Sequence, residues 1–245
     1  MQNRFLSILL IFFINIILIS PVVAENEFNF NITEIEVLDN GNKIIGKNRG
    51  DISTSDGLTI SANTFEYDKT KNILNANGNV IIEDDLKNYK IFSEDITYNK
   101  NKDVIFSKGS TSAKIKSRYD LKTKNMFFLR GEKILKSNYQ TTVKDIQTKT
   151  LLDLEKVNMN IENEVLKGEN VLVISNYDLP QNDKLFFANS MFDLKNENVV
   201  AKDIEIQLKK NSFDNIDNDP RLKGVSLTKE NDITTINKGI FTSCK

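Results

Sequence analysis

The sequence predicts an all-β protein built of repeated short antiparallel strands. Three observations carry that prediction. From Val37 to the C-terminus, apolar and polar residues alternate in short runs, the period that sets one row of side chains on one face of a strand. Asn, Asp, Lys and Gly cluster between the runs, as turns require. The chain holds only 3 prolines, so few strands are interrupted.

The elements follow in chain order. Arg4 precedes an apolar run, Phe5–Ile19, broken only by Ser7 and Asn15, and small residues at Val22 and Ala24 lead into Glu25. This is the pattern of a cleaved export signal, and the run is short against the ~20 residues of a bilayer-spanning helix. Residues 1–24 are therefore expected to be a signal peptide and the mature chain to be exported. Beyond it, Leu58, Ile60 and Ala62 alternate with polar residues, as do Val80 and Ile82 across Ile81, Ala113 and Ile115, and Ile204, Ile206 and Leu208. Asn40-Gly41 and Asn77-Gly78 are the sharpest turn signals. Leu151, Leu154, Val157 and Ile161 are spaced like a helix face, whereas Val157, Met159 and Ile161 alternate like a strand. The repeats on either side favour strand.

An internal repeat is the most informative feature. Phe65-Glu66-Tyr67-Asp68-Lys69 through Ile73-Leu74 to Gly78 is matched by Ile96-Thr97-Tyr98-Asn99-Lys100 through Val104-Ile105 to Gly109. Val37–Asp39 through Ile44-Ile45 to Gly50, and a degenerate copy from Lys122 to Gly131, complete the set. Each unit reads strand, polar turn, strand, Gly, strand, with the Gly expected at a bend or bulge. Stacked units of this kind bury a continuous interior. That interior is either a packed core or an open apolar groove, and periodicity does not separate the two. If it is a groove, one alternation phase lines it, with Ile60, Val80, Ile82, Ile91, Phe106 and Ile115 as the candidates. A one-residue slip would invert the set.

The composition narrows the chemistry. There is no histidine and one cysteine, Cys244, which removes His-based triads, Cys-His dyads and HExxH zinc sites and disfavours transition-metal centres. Asp and Glu fall singly or in pairs on polar strand positions and turns, as on a solvated sheet face. No catalytic residues, metal or cofactor are expected, and the chain is read as a non-enzyme. Without residues 1–24 the chain loses one basic residue, Arg4, leaving 32 basic against 34 acidic and a formal charge of −2. The charges are interspersed, so no nucleic-acid footprint is present.

Specific segments resemble a known family. Tyr67-Asp68-Lys69, Asn75-Ala76-Asn77-Gly78-Asn79-Val80-Ile81-Ile82 and Ser93-Glu94-Asp95-Ile96-Thr97-Tyr98 resemble the OstA-like N-terminal domain of lipopolysaccharide-transport proteins. Asp219-Pro220-Arg221-Leu222-Lys223-Gly224-Val225-Ser226, then Thr234–Phe241 and Thr242-Ser243-Cys244, resemble the junction between periplasmic domain and barrel in the lipopolysaccharide-assembly family, LptD/OstA. The resemblance implies a periplasmic β-jellyroll at 25–233 whose two sheets form a V-shaped open groove for lipid A acyl chains. It implies residues 234–245 as a junction toward an outer-membrane barrel absent from this sequence. Implied partners are lipopolysaccharide, a periplasmic bridge jellyroll joined by edge-strand addition, and the barrel with its plug lipoprotein. Implied too is a disulfide from Cys244 to a cysteine of the barrel. The location would be the periplasm, at the cell outer membrane.

Two alternatives stay open. A free-standing periplasmic bridge protein would not need the Thr242-Ser243-Cys244 junction. A β-solenoid scaffold or adhesin would show a steadier repeat than the spacings between Gly50, Gly78, Gly109 and Gly131.

Overall fold

A computed structural model describes residues 28–84, 88–210, 212–213 and 217–243. The expected signal peptide and Cys244 lie outside the described residues. The chain is all-β, and its described residues form 21 strands in one continuous hydrogen-bonded system. In order these are β1 (Asn29–Asn31), β2 (Glu34–Leu38), β3 (Lys43–Lys47), β4 (Gly50–Ser53), β5 (Thr59–Ala62), β6 (Thr64–Asp68), β7 (Ile73–Asp84) and β8 (Tyr89–Asn99). There follow β9 (Val104–Ile115), β10 (Tyr119–Lys124), β11 (Phe127–Leu129), β12 (Ile134–Ser137), β13 (Thr141–Asp145), β14 (Thr150–Leu154), β15 (Lys156–Asn160) and β16 (Val165–Ser175). The last are β17 (Lys184–Asp193), β18 (Asn198–Gln207), β19 (Arg221–Glu230), β20 (Ile233–Asn237) and β21 (Ile240–Thr242). The ambiguous stretch at 151–161 is strand as far as Asn160, divided at Glu155 between β14 and β15, with Ile161 in the following turn.

Long strands bend, and their two halves pair with different neighbours. The first half of β7 pairs with β6 and its second half with β5. The first half of β9 pairs with β11 and its second half with β10. The first half of β16 pairs with β15 and its second half with β14. Two walls result, joined along a line of bends. Because β9 and β16 belong to both, the ladder β9–β10–β13–β14–β16–β15–β12–β11 returns to β9 and closes an eight-strand ring, with further strands on either side.

The sequence explains where the strands bend. Gly78 (φ +80°), Asn79 (+49°), Gly109 (+81°), Asn170 (+49°) and Asp203 (+50°) are left-handed, a conformation that Gly, Asn and Asp adopt most readily. At the first of them the β7–β8 register slips between Asn77 and Val80, so Asn77-Gly78 forms a bulge within a strand and not a hairpin turn. In β7 and β9 the bend thus falls at the repeat's Gly, and in β16 and β18 at Asn170 and Asp203. Gly131 is the exception, since it sits in the turn after β11.

The inward phase carries the core. Ile60, Leu74, Ile82, Leu154, Met159 and Leu166 are fully buried. On the N-terminal side of the ring, aromatics pack between β6 and β8: Phe28 meets Tyr67 edge-on at 4.9 Å and Tyr98 at 5.8 Å. β20 and β21 both pair with β19, so the boundary expected after 233 falls inside a strand and residues 234–242 continue the same walls.

Candidate functional site

The five positions Ile60, Val80, Ile82, Ile91 and Ile115 point inward and are at most 1% exposed. Phe106 corrects the expected set. Inward residues of β9 are Ile105, Ser107, Thr111, Ala113 and Ile115, so Phe106 has the opposite parity to Ile115. It lies on the outer face, where its ring sits 4.7 Å from that of Phe127, its cross-strand partner. Two adjacent apolar residues, Ile105 and Phe106, left the phase ambiguous in the sequence.

The structure brings the five together in a packed region, and its open interior lies elsewhere, toward the C-terminal end. An apolar cavity of about 390 Å³ sits between the walls there, and none of the six candidates lines it. Its floor is one cross-strand row on the first wall: Val143 faces Leu152, Leu152 faces Val173, Val173 faces Leu185, and Leu185 faces Ile206. Phe192, Val199 and Leu227 cover it from the second wall, and Phe187 closes the bend side. Period two explains the floor, since Leu185 and Phe187, like Ile204 and Ile206, share a face. Reading Ile206 as an inward position was within reach of the sequence. The cross-strand row was not, because it depends on register between strands that are not neighbours in the chain.

Opposite the bends, the turns of the two walls face each other across a mouth. Polar side chains lace it at two places. Arg130, with its side chain 4% exposed, donates to Asp56 at 2.6 Å, to Asp103 at 2.7 Å and to the Tyr98 hydroxyl at 2.8 Å. It ties the turn after β11 to the loop before β5. Further along, Lys116 donates to Glu164 at 2.6 Å and to the Glu162 carbonyl at 3.0 Å. The buried Tyr119 hydroxyl donates to Glu164 at 2.6 Å. Arg118 binds Asp145 through two nitrogens and reaches the Leu194 carbonyl at 3.2 Å.

Electrostatics hold this second clasp charged. Burial works against the Glu164 carboxylate, but the bonds from Lys116 and Tyr119 outweigh it, and Glu164 titrates below its ordinary value. Burial likewise opposes ionised Asp145, and the Arg118 bonds win, lowering its pKa. The Tyr119 phenol is pushed up, first by burial and then by the Glu164 carboxylate that accepts its hydrogen bond. The cavity begins at this clasp, with Arg118, Tyr119 and Asp145 in its lining, and its outer rim carries Asp183, Asp193, Glu197 and Lys229.

Such an arrangement can hold an apolar chain and exclude water from it. Among the described residues, no group of His, Cys, Asp or Glu is placed to hold a metal ion. Comparison with protein-family models and with curated proteins found no match to this chain.

Proposed function

We propose that this chain is a periplasmic lipopolysaccharide-binding and transfer domain of the OstA-like type, a β-jellyroll that receives lipid from a bridge protein and passes it toward an outer-membrane barrel with its plug lipoprotein. The observation that carries this reading is the apolar cavity between the walls, floored by aliphatic side chains and rimmed by polar ones. Burying an acyl chain stabilises the complex by about 0.8 kcal/mol per CH₂, so a site of this kind holds lipid without catalytic groups. The domain acts as a carrier and not as an enzyme.

The edges support a relay. On β2, Ile35, Val37 and Leu38 are exposed, and at the other end Ile233, Ile240 and Phe241 are exposed. Apolar edge strands with unpaired backbone groups are templates for strand addition, which would keep neighbouring interiors continuous.

A photocrosslinking amino acid at Leu185 should capture lipopolysaccharide in cells, whereas the same group at the outward Phe106 should capture little. Absence of lipid capture at Leu185 in a folded, exported chain would overturn the carrier reading.

A further inference from the structure

We infer that the cavity is a slot for one hydrocarbon chain and that Tyr119, held by Glu164, is the stop that sets how long a chain it takes. The inference rests on the carrier reading and adds the class of occupant and the residue that limits it. Four strand spacings separate Val143 from Ile206 along the floor, or about 19 Å at ~4.8 Å each. The volume of about 390 Å³ spread over that length leaves a cross-section of roughly 20 Å², a tube about 5 Å across. Carbon atoms pack ~4 Å apart, so one chain fits and two side by side do not. At roughly 30 Å³ per small displaced group, the slot holds about a dozen methylenes.

The inner end of the slot is closed by a built feature. Tyr119 is 1% exposed, and its hydroxyl donates to Glu164 of the opposite wall at 2.6 Å. Lys116 holds the other oxygen of Glu164 at 2.6 Å. The ring therefore spans from one wall to the other and cannot swing aside while the clasp is made. Beyond it the interior is occupied: Tyr89 meets Phe128 edge-on at 5.0 Å, and both are buried. Toward the other end no such barrier stands among the described residues, and the lining there includes the partly buried Leu185, Val199 and Ile206.

The test is displacement of a fluorescent fatty acid from the whole mature chain by saturated fatty acids from octanoate to stearate. For the wild type, affinity should rise about fourfold per added methylene and level off at about a dozen carbons. In Tyr119→Ala the rise should continue, leaving stearate at least about tenfold tighter than laurate. The same break in both proteins, or a wild-type rise that runs unbroken to stearate, would overturn the stop. Should Tyr119→Ala fail to fold, Val173→Phe supplies the reverse test by filling the middle of the floor. It should move the break to shorter chains, and an unmoved break would overturn the slot. Failure of the folded wild type to bind any of these acids would instead overturn the carrier reading beneath the inference.

Discussion

Side chains that share an alternation phase play two different roles along this chain. Ile82 is fully buried and does not border the cavity, whereas Leu185 is only partly buried and lines it. Truncation should separate the two. Ile82→Ala removes contacts that the walls cannot restore and should cost about 3–4 kcal/mol. Leu185→Ala enlarges a space that already exists and should cost nearer ~1 kcal/mol. Chemical denaturation of the two variants checks the difference, and equal losses would mean that the cavity is packed when the protein is in solution. Arg130 gives a second residue-scale expectation. Its side chain is buried while those of Asp56 and Asp103 stay about half and two-fifths exposed. Arg130→Ala should therefore destabilise by ~3 kcal/mol, the low end for a broken buried pair, because solvent takes up the two carboxylates left behind. Asp56→Asn removes one of three partners on a wet side chain and should cost under ~1 kcal/mol. Comparable losses in both denaturation curves would show that the two carboxylates share the load.

The bends in the long strands decide which wall each half joins, and the glycines there differ in what surrounds them. At Gly78 an added methyl group would meet the Asn63 side chain at 2.7 Å, whereas at Gly109 nothing lies within 4 Å. Both residues have φ near +80°, so each Ala substitution carries the left-handed cost of about 1–2 kcal/mol. Gly78→Ala should add a packing cost and lower the denaturation midpoint further than Gly109→Ala, and a reversed order would sink this account of the bulge. Much of this level was legible in the sequence. The repeat's Gly pointed to a bend at Gly78 and Gly109 but not at Gly131, and the alternation placed Ile60, Val80, Ile82, Ile91 and Ile115 inward. Phe106 failed because parity alone does not choose between two adjacent apolar residues. The position after 233 lies inside β20, which forms by pairing with β19, and an edge strand with mostly exposed residues carries little alternation of its own.

At the scale of the whole molecule, the two walls are joined covalently along the bends and by ionic clasps along the mouth. The clasps were the part least legible in the sequence, because Lys116 and Glu164, or Arg130 and Asp56, are brought together only by tertiary register. They also set how the fold answers to pH. The chain has no histidine, so no side chain of ordinary pKa changes charge between about pH 5 and 8. Asp145 and Glu164 both titrate below their ordinary values of 3.8 and 4.5 in the folded state. A carboxylate whose folded pKa lies below its unfolded one binds fewer protons when folded. Its stabilisation is complete above the unfolded value and is lost as the pH falls through the folded one. Stability should therefore stay flat from about pH 8 to pH 5 and fall below about pH 4.5 as the second clasp protonates. Glu164→Gln should lower stability at neutral pH and shrink the acid-induced loss, because the variant has one fewer lowered carboxylate to titrate. Denaturant titrations across this range check both effects. An acid loss of the same size in wild type and Glu164→Gln would place the pH sensitivity in other carboxylates and remove this clasp as its source.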